Sequence, residues 1–272
     1  MRIRSISRPA AVLALTLAGC GSSPVHSGDS AAHGASVQRY RIVSRYVHGS
    51  HAQVGVRPAG SAAAPPLLVF LHGRGAGAES NANGAFLAAL SALGPRAPAV
   101  VFPDGGDHSY WHDRRGGEWA AYVMNEVIPQ AVRRLHADRH RVAIGGVSMG
   151  GFGAFDLALH HPGRFCAVGG HSPAIWRQAG ETAPGAFDDA SDFARNDVIG
   201  LARRRRPAPA VMIDSGDGDP FVAGDRALAS ALGVAKRTWP GGHDADYWHA
   251  HYGDDLRFYA RALARCHTPL GS

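Results

Sequence analysis

The chain has 272 residues, 45% hydrophobic and 18% charged, with 35 Gly, 17 Pro and three Cys. These values exclude a disordered or collagen-like bulk and a disulfide-dense mini-scaffold, and the length accommodates one large domain or two small ones. Twenty-eight basic against 22 acidic residues leave a formal charge of +6, which raises nucleic acid as a partner until the positions of the charges are considered.

Residues 1–8 hold three arginines and no acid, Ala10–Ala18 is apolar, and Gly19-Cys20-Gly21 follows. A basic start, a short apolar run and small residues predict an export signal over 1–19. The run is too short to span a bilayer. Leu17-Ala18-Gly19-Cys20 resembles a bacterial lipobox, which implies that Cys20 is lipidated and begins the mature chain. A secreted protein without the lipid is the alternative. Residues 20–38, rich in Ser, Gly, His and Ala, are expected to form a flexible tether. The folded part is therefore expected outside the cytoplasmic membrane, attached to its outer face. Cleavage removes Arg2, Arg4 and Arg8 and takes the charge from +6 to +3. Half of the basic excess thus belongs to export.

Tyr40–Val47 and Gln53–Arg57 read as strands around a Gly49-Ser50 turn. Leu67–Leu71 is a buried strand ending in His72-Gly73-Arg74-Gly75, and Ala85–Leu93 is helical, closed by Gly94-Pro95. Ala99–Phe102 is a strand ended by Pro103-Asp104-Gly105-Gly106. Trp119–His136 is mainly helical, with a kink or break at Pro129. Strand Arg141–Ile144 precedes Gly145-Gly146-Val147-Ser148-Met149-Gly150-Gly151, followed by helix Phe152–His160 and strand Phe165–Val168. The stretch 171–209 has weak periodicity and reads as an inserted loop and short-helix region that covers the site. Strand Ala210–Ile213, an Asp-rich loop, helix Phe221–Leu232, strand Lys236–Trp239 and helix Tyr247–Arg265 complete the chain. Eight strands alternating with helices predict an α/β fold, a mostly parallel eight-stranded sheet with helices on both faces. Every Gly-rich punctuation falls at the C-terminal end of a strand, where sites gather in such sheets.

Gly146-Val147-Ser148-Met149-Gly150 matches the G-x-S-x-G elbow, in which a sharp strand-to-helix turn exposes the serine at a helix N-terminus. Serine needs a base titrating near neutrality. His243, after the last strand on a Gly-Gly turn and after Ser148 in chain order, is the candidate among 16 histidines. His72 precedes Ser148 and is expected to shape the loop after its strand, and His160 and His161 to lie on the surface. A carboxylate must orient the imidazole. Asp219, Asp217 and Asp214 compete for this place, with Asp219 favoured because it lies deeper in the loop. The Asp-rich loop lacks calcium-hand spacing, so no metal is expected. Two amides must hold an oxyanion: Met149 is one, and Arg74, with Gly75 next, is the other. The Arg74 side chain is expected in solvent or against a substrate carboxylate.

Together these residues resemble the esterase branch of the α/β-hydrolase superfamily, which includes esterase D (S-formylglutathione hydrolase), feruloyl and acetylxylan esterases and the secreted mycobacterial mycolyltransferases. The resemblance covers about 40–265. It rests on Leu71-His72-Gly73-Arg74-Gly75, Phe102-Pro103-Asp104-Gly105-Gly106 with Tyr110-Trp111 and Glu118-Trp119, the elbow, Asp214–Phe221, and Gly242–Trp248. The family's acid pattern falls on Asp219, and its second oxyanion amide on Arg74. The substrate-binding set expected here is His72, Asp104, Trp111 and Trp248.

The resemblance implies a serine carboxylic-ester hydrolase, without cofactor, working on a small or polysaccharide-linked acyl ester. An acyltransferase moving the group to a sugar hydroxyl, a peptidase or other acyl hydrolase, and a non-catalytic surface lipoprotein are the alternatives. Cys166 and Cys266 either pair, as an oxidising location permits, or remain a buried and a partly exposed thiol. Arg203–Arg206 form a basic patch, read as a solvated loop in preference to a contact with anionic lipid or cell-wall polymer. No aromatic platform accompanies the basic residues, so no nucleic-acid partner is expected.

Overall fold

The computed structural model describes residues 29–32 and 34–266. The signal expected at 1–19, Cys20 and the first part of the expected tether lie outside the described residues. Within the rest of that tether, 29–32 and 35–38 are strand: β1 (Asp29–Ala32) pairs antiparallel with β2 (Ala35–Val43), which pairs with β3 (Ser50–Pro58) from Ala35 opposite Pro58 to Val43 opposite Ser50. The expected boundary at residue 38 is corrected accordingly. Ala35-Ser36-Val37-Gln38 has little β-branched or aromatic content; its pairing with β3 places it. Ala35 and Val37 reach the core on one face of the sheet, Tyr40 and Ile42 the core on the other.

β4 (Pro66–Leu71), α1 (Gly84–Ser91) and β5 (Ala99–Pro103) follow. Next come the two-residue strands β6 (Asp113–Arg114) and β7 (Gly117–Glu118), α2 (Trp119–Tyr122), a π-turn over Val123–Val127 and α3 (Ile128–Leu135). The expected kink is this π-turn. Pro129 has no N–H and its ring crowds the preceding turn, so the helix widens just before it. β8 (Asp138–Val147), α4 (Met149–His160) and β9 (Ala167–His171) lead into the inserted region, which carries α5 (Ala190–Arg195) and α6 (Val198–Ala202), N-capped by Asp189 and Asp197. β10 (Ala210–Gly216), α7 (Val222–Leu232), β11 (Arg237–Trp239) and α8 (Ala245–Ala264) finish the chain.

The main sheet has nine strands, the expected eight plus β1, in the order β1-β2-β3-β5-β4-β8-β9-β10-β11. The six strands from β5 to β11 in that order are parallel, and those from β1 to β3 join antiparallel. β4 is buried on both faces: Leu67, Val69 and Leu71 point into one core with α3, α4 and α7, and Leu68 and Phe70 into the other with α1 and α8. Each such side chain contributes about 1.5–3 kcal/mol by burial. The chain leaves β4 to pair on one side with β5 and on the other with β8, so the crevice of this switch point opens at their C-terminal ends. At the opposite end Cys166 and Cys266 form a disulfide with Cα atoms 5.8 Å apart and a sequence separation of 100.

Candidate active site

Ser148 stands between β8 and α4 with φ 54° and ψ −118°. That left-handed conformation costs a non-glycine residue on the order of 1–3 kcal/mol, and the surroundings hold it. Its N–H donates to His171 O (3.1 Å), and its carbonyl accepts from Phe152 N and Ala174 N (both 3.0 Å). Space dictates the glycines two residues away. A Cβ on Gly146 or Gly150 would lie 2.4 or 2.1 Å from Leu71 O, so β8, α4 and β4 meet this closely only without side chains there.

His243 Nε2 lies 2.8 Å from Ser148 Oγ, and His243 Nδ1 lies 2.9 Å from Asp219 Oδ2. The second Asp219 oxygen accepts from Phe221 N at 2.8 Å. Burial pushes the Asp219 carboxyl up, but the hydrogen bonds from His243 and the Phe221 amide outweigh it and hold the group below the usual range. The imidazole packs against Phe221 (ring centroids 5.1 Å) and the edge of Trp248 (5.4 Å). The three competing aspartates separate by position. Asp217 Oδ1 accepts from Gly241 N at 3.1 Å and so steadies the turn that carries His243. Asp214 is fully buried, facing away, against His171 and Tyr247.

On the loop after β4, Gly75 N donates to Asp107 O at 2.8 Å. The Arg74 amide has no acceptor among the described residues and is a free donor on this loop. Met149 begins α4 immediately after Ser148. The Arg74 guanidinium is exposed and donates to Pro184 O of the inserted region at 3.1 Å.

Three of the four expected substrate-binding residues are engaged by the protein itself. His72 is buried; its Nε2 accepts from Gly105 N (2.9 Å) and its Nδ1 bonds Gly73 O (2.8 Å), so the ring braces the loop. Trp111 is buried, with Nε1 donating to His72 O (3.3 Å) and its ring filling space that a Cβ on Gly105 or Gly153 would take. Asp104 Oδ1 accepts from Gly106 N at 3.0 Å, and His51, then His72, hold its carboxyl well below the usual range. His72 thus shapes the loop as expected, and Trp111 and Asp104 support the same loop. Of the four expected residues, Trp248 is the one whose ring packs against His243.

A second, buried cluster lies under the first. His171 Nδ1 is 2.6 Å from Asp214 Oδ2 and 3.2 Å from Asp255 Oδ1, and its Nε2 is 2.9 Å from Tyr259 OH. Burial alone would lower the imidazole, yet Asp255, Tyr259 and Asp214 raise it well above its ordinary value. Gly145 and Gly169 leave the room that the Tyr259 hydroxyl occupies. Because His171 O receives the Ser148 amide and Ser172 N donates to Asp214 O (2.7 Å), this cluster fixes the floor on which the elbow rests. Asp214 lies at a polar strand end and Asp255 and Tyr259 far off on α8, so only the pairing of β9 with β10 and the docking of α8 bring them together.

A family profile described as "Putative esterase" matches residues 47–259. The chain belongs to this esterase family. S-formylglutathione hydrolase of Paracoccus denitrificans (strain Pd 1222) is 26% identical over 200 residues, which cover 61% of this esterase and 72% of the relative. In fold, the esterase is similar to an S-formylglutathione hydrolase from Agrobacterium tumefaciens (TM-score 0.76, 20% identity, 87% of this chain and 98% of that one). It is also similar to a ferulic acid esterase (TM-score 0.70, 22% identity, 84% and 98%). The esterase is thus an α/β-hydrolase of the serine-hydrolase type that acts on ester substrates.

Proposed function

We propose that this esterase cleaves carboxylic esters of small or polysaccharide-linked acyl groups through an acyl-enzyme on Ser148. The continuous chain from Ser148 Oγ through His243 to Asp219 is the observation that carries the reading. Asp219 keeps the proton on His243 Nδ1, so Nε2 presents its lone pair to the serine hydroxyl. Ser148 Oγ attacks the ester carbonyl carbon while Nε2 takes the hydroxyl proton, and the Met149 and Arg74 amides face the oxyanion that forms. Collapse of this intermediate breaks the ester C–O bond, and the departing alkoxide takes the proton from Nε2. Water then gives a proton to Nε2 and its oxygen to the acyl carbon, releasing the acid and restoring Ser148 Oγ–H.

The protein lacking the Ser148 hydroxyl provides the test. Wild type should turn over short p-nitrophenyl esters, and Ser148→Ala should lose about 10³-fold or more of that rate. Folded wild type without turnover would point to a binding role, and acylated sugar formed on adding trehalose would point to transfer. We further propose that the chain is exported and lipidated at Cys20, which supports attachment at the outer membrane face. Mass analysis of the N-terminal peptide from the native host tests this, and an unmodified Cys20 would leave a secreted protein. Among the described residues no helix is long and apolar enough to cross a membrane.

A further inference from the structure

We propose that the end of the sheet opposite Ser148 is a docking surface for the phosphate-bearing headgroups of an anionic bilayer. Parallel topology sends the N-termini of the central strands and the C-termini of the helices that follow them to this end, and arginines gather there. Some of them cap helices: Arg57 donates to Leu135 O, Arg205 to Leu159 O (3.3 Å) and Arg206 to Leu232 O, at the ends of α3, α4 and α7. Complementing helix dipoles accounts for these. Arg133, Arg203, Arg261 and Arg265 also stand at helix C-termini, but their side chains, like those of the exposed Arg96 and Arg204, bond no helix carbonyl and have no carboxylate partner among the described residues. Asp138, at the start of β8, is already paired with Arg141 at 2.8 Å.

Arg96, from the turn before β5, meets Arg257 and Arg261 of α8 and Arg265 just after it around a groove of about 200 Å³ floored by Leu93 and Ala260. Arg257 pairs with Asp254 (2.8 Å). The remaining three converge from two elements, although like charges four apart on a helix repel. A phosphate resolves that repulsion, because its oxygens accept the forked guanidinium donors of several arginines at once. The carboxylates gather at the other end: Asp104, Asp107, Asp217 and Asp244 follow the C-terminal ends of strands, and Asp188 and Asp189 pair with Arg114 and Arg115 there. An anionic surface therefore attracts the arginine-rich end more strongly than the end that carries these carboxylates, which turns the mouth at Ser148 away from the membrane. Nine Cα-to-Cα steps lead from Cys20 to Asp29, a reach of about 30 Å, so a lipid there would hold the domain within range. The docking surface itself does not depend on that lipid, nor on the reaction at Ser148.

Sedimentation of the full chain with vesicles tests the proposal, using phosphatidylcholine alone and with 30 mol% phosphatidylglycerol. The apolar N-terminal segment is common to every variant, so the comparison isolates the basic end. For Arg96→Gln/Arg261→Gln/Arg265→Gln, partitioning onto the phosphatidylglycerol vesicles should fall about 100-fold, roughly fivefold per charge, with p-nitrophenyl acetate hydrolysis unchanged. Should that variant not fold, Arg203→Gln/Arg204→Gln in an exposed loop should lose about 20-fold. Arg45→Gln/Arg115→Gln, at the catalytic end, should bind as wild type. Equal partitioning of wild type onto both vesicles, or of wild type and the basic-end variants onto phosphatidylglycerol, overturns the proposal. So does full displacement by 10 mM inorganic phosphate at constant ionic strength, which would make the groove a site for free phosphate.

Discussion

Asp219→Asn separates the three aspartates of one loop by their hydrogen bonds. The Asp219 carboxylate accepts from two donors, His243 Nδ1 at 2.9 Å and Phe221 N at 2.8 Å. An asparagine has one oxygen to offer. The fixed backbone N–H of Phe221 claims it, so the amide NH₂ faces His243 Nδ1 and donates to it. The imidazole proton then moves to Nε2, the atom 2.8 Å from Ser148 Oγ, and the base loses the lone pair it needs. The ring stays in place while its tautomer is wrong, a change that costs about 10³–10⁴-fold in kcat, or about 4–5.5 kcal/mol at the transition state. KM should move little, since Asp219 does not reach the substrate. In Asp217→Asn the oxygen that accepts from Gly241 N is kept, so kcat should stay within about threefold. Asp214→Asn disturbs the buried His171 cluster and should lower Tm more than it changes the chemistry. Steady-state kinetics on p-nitrophenyl acetate, with melting curves for each variant, decide the matter. An Asp219→Asn enzyme within about tenfold of wild type, or a larger loss from Asp217→Asn, would refute the tautomer argument.

Replacing both Cys166 and Cys266 with Ser should cost about 4–5 kcal/mol, as expected when the constraint on a 100-residue loop is lifted, and lower Tm by about 10 °C or more in calorimetry. A drop under 2 °C would mean that the bridge does not hold the fold. Gly150→Ala should yield little folded protein in an expression and melting assay, because its Cβ would meet Leu71 O at 2.1 Å; wild-type yield and activity would contradict the close packing. Burial raises the Asp225 carboxyl to about 8, against a smaller opposing pull from the Ser215 hydroxyl. The folded chain therefore holds a proton there that the unfolded chain has lost, and stability falls as pH rises from about 4 to 8, by at most about 1.4 kcal/mol per pH unit. Asp225→Asn should melt higher than wild type, by a margin that grows from pH 5 to pH 8; a margin independent of pH would show that Asp225 is ionised in the fold.

Strongly periodic apolar strands and the elbow were legible because their signals are local. The runs at Leu67–Leu71 and Ala99–Phe102 declare buried strands, and Gly146 and Gly150 declare a turn that only glycine fits. Strand ends were less legible. β9 and β10 run on through His171 and Asp214, residues that read as loop because nothing nearby in sequence shows the partners that make their burial tolerable. The same limit applies to Trp111, whose place in the packing between α4 and the Gly105 turn is set by residues far from it in sequence, whereas His72, at the end of β4, shapes its loop as its position implies. β1 and the start of β2 escaped notice because their small residues take structure from their pairing with a neighbouring strand.

The central claim is that Ser148 is the nucleophile. Wild-type protein treated with a fluorophosphonate, or quenched during turnover of a slow p-nitrophenyl ester, should gain one adduct by intact mass. Peptide mapping should place it on Ser148 in the segment that ends β8 and begins α4, and Ser148→Ala should gain none. An adduct on another residue, such as buried Ser172, or hydrolysis at the wild-type rate by Ser148→Ala, would contradict the account.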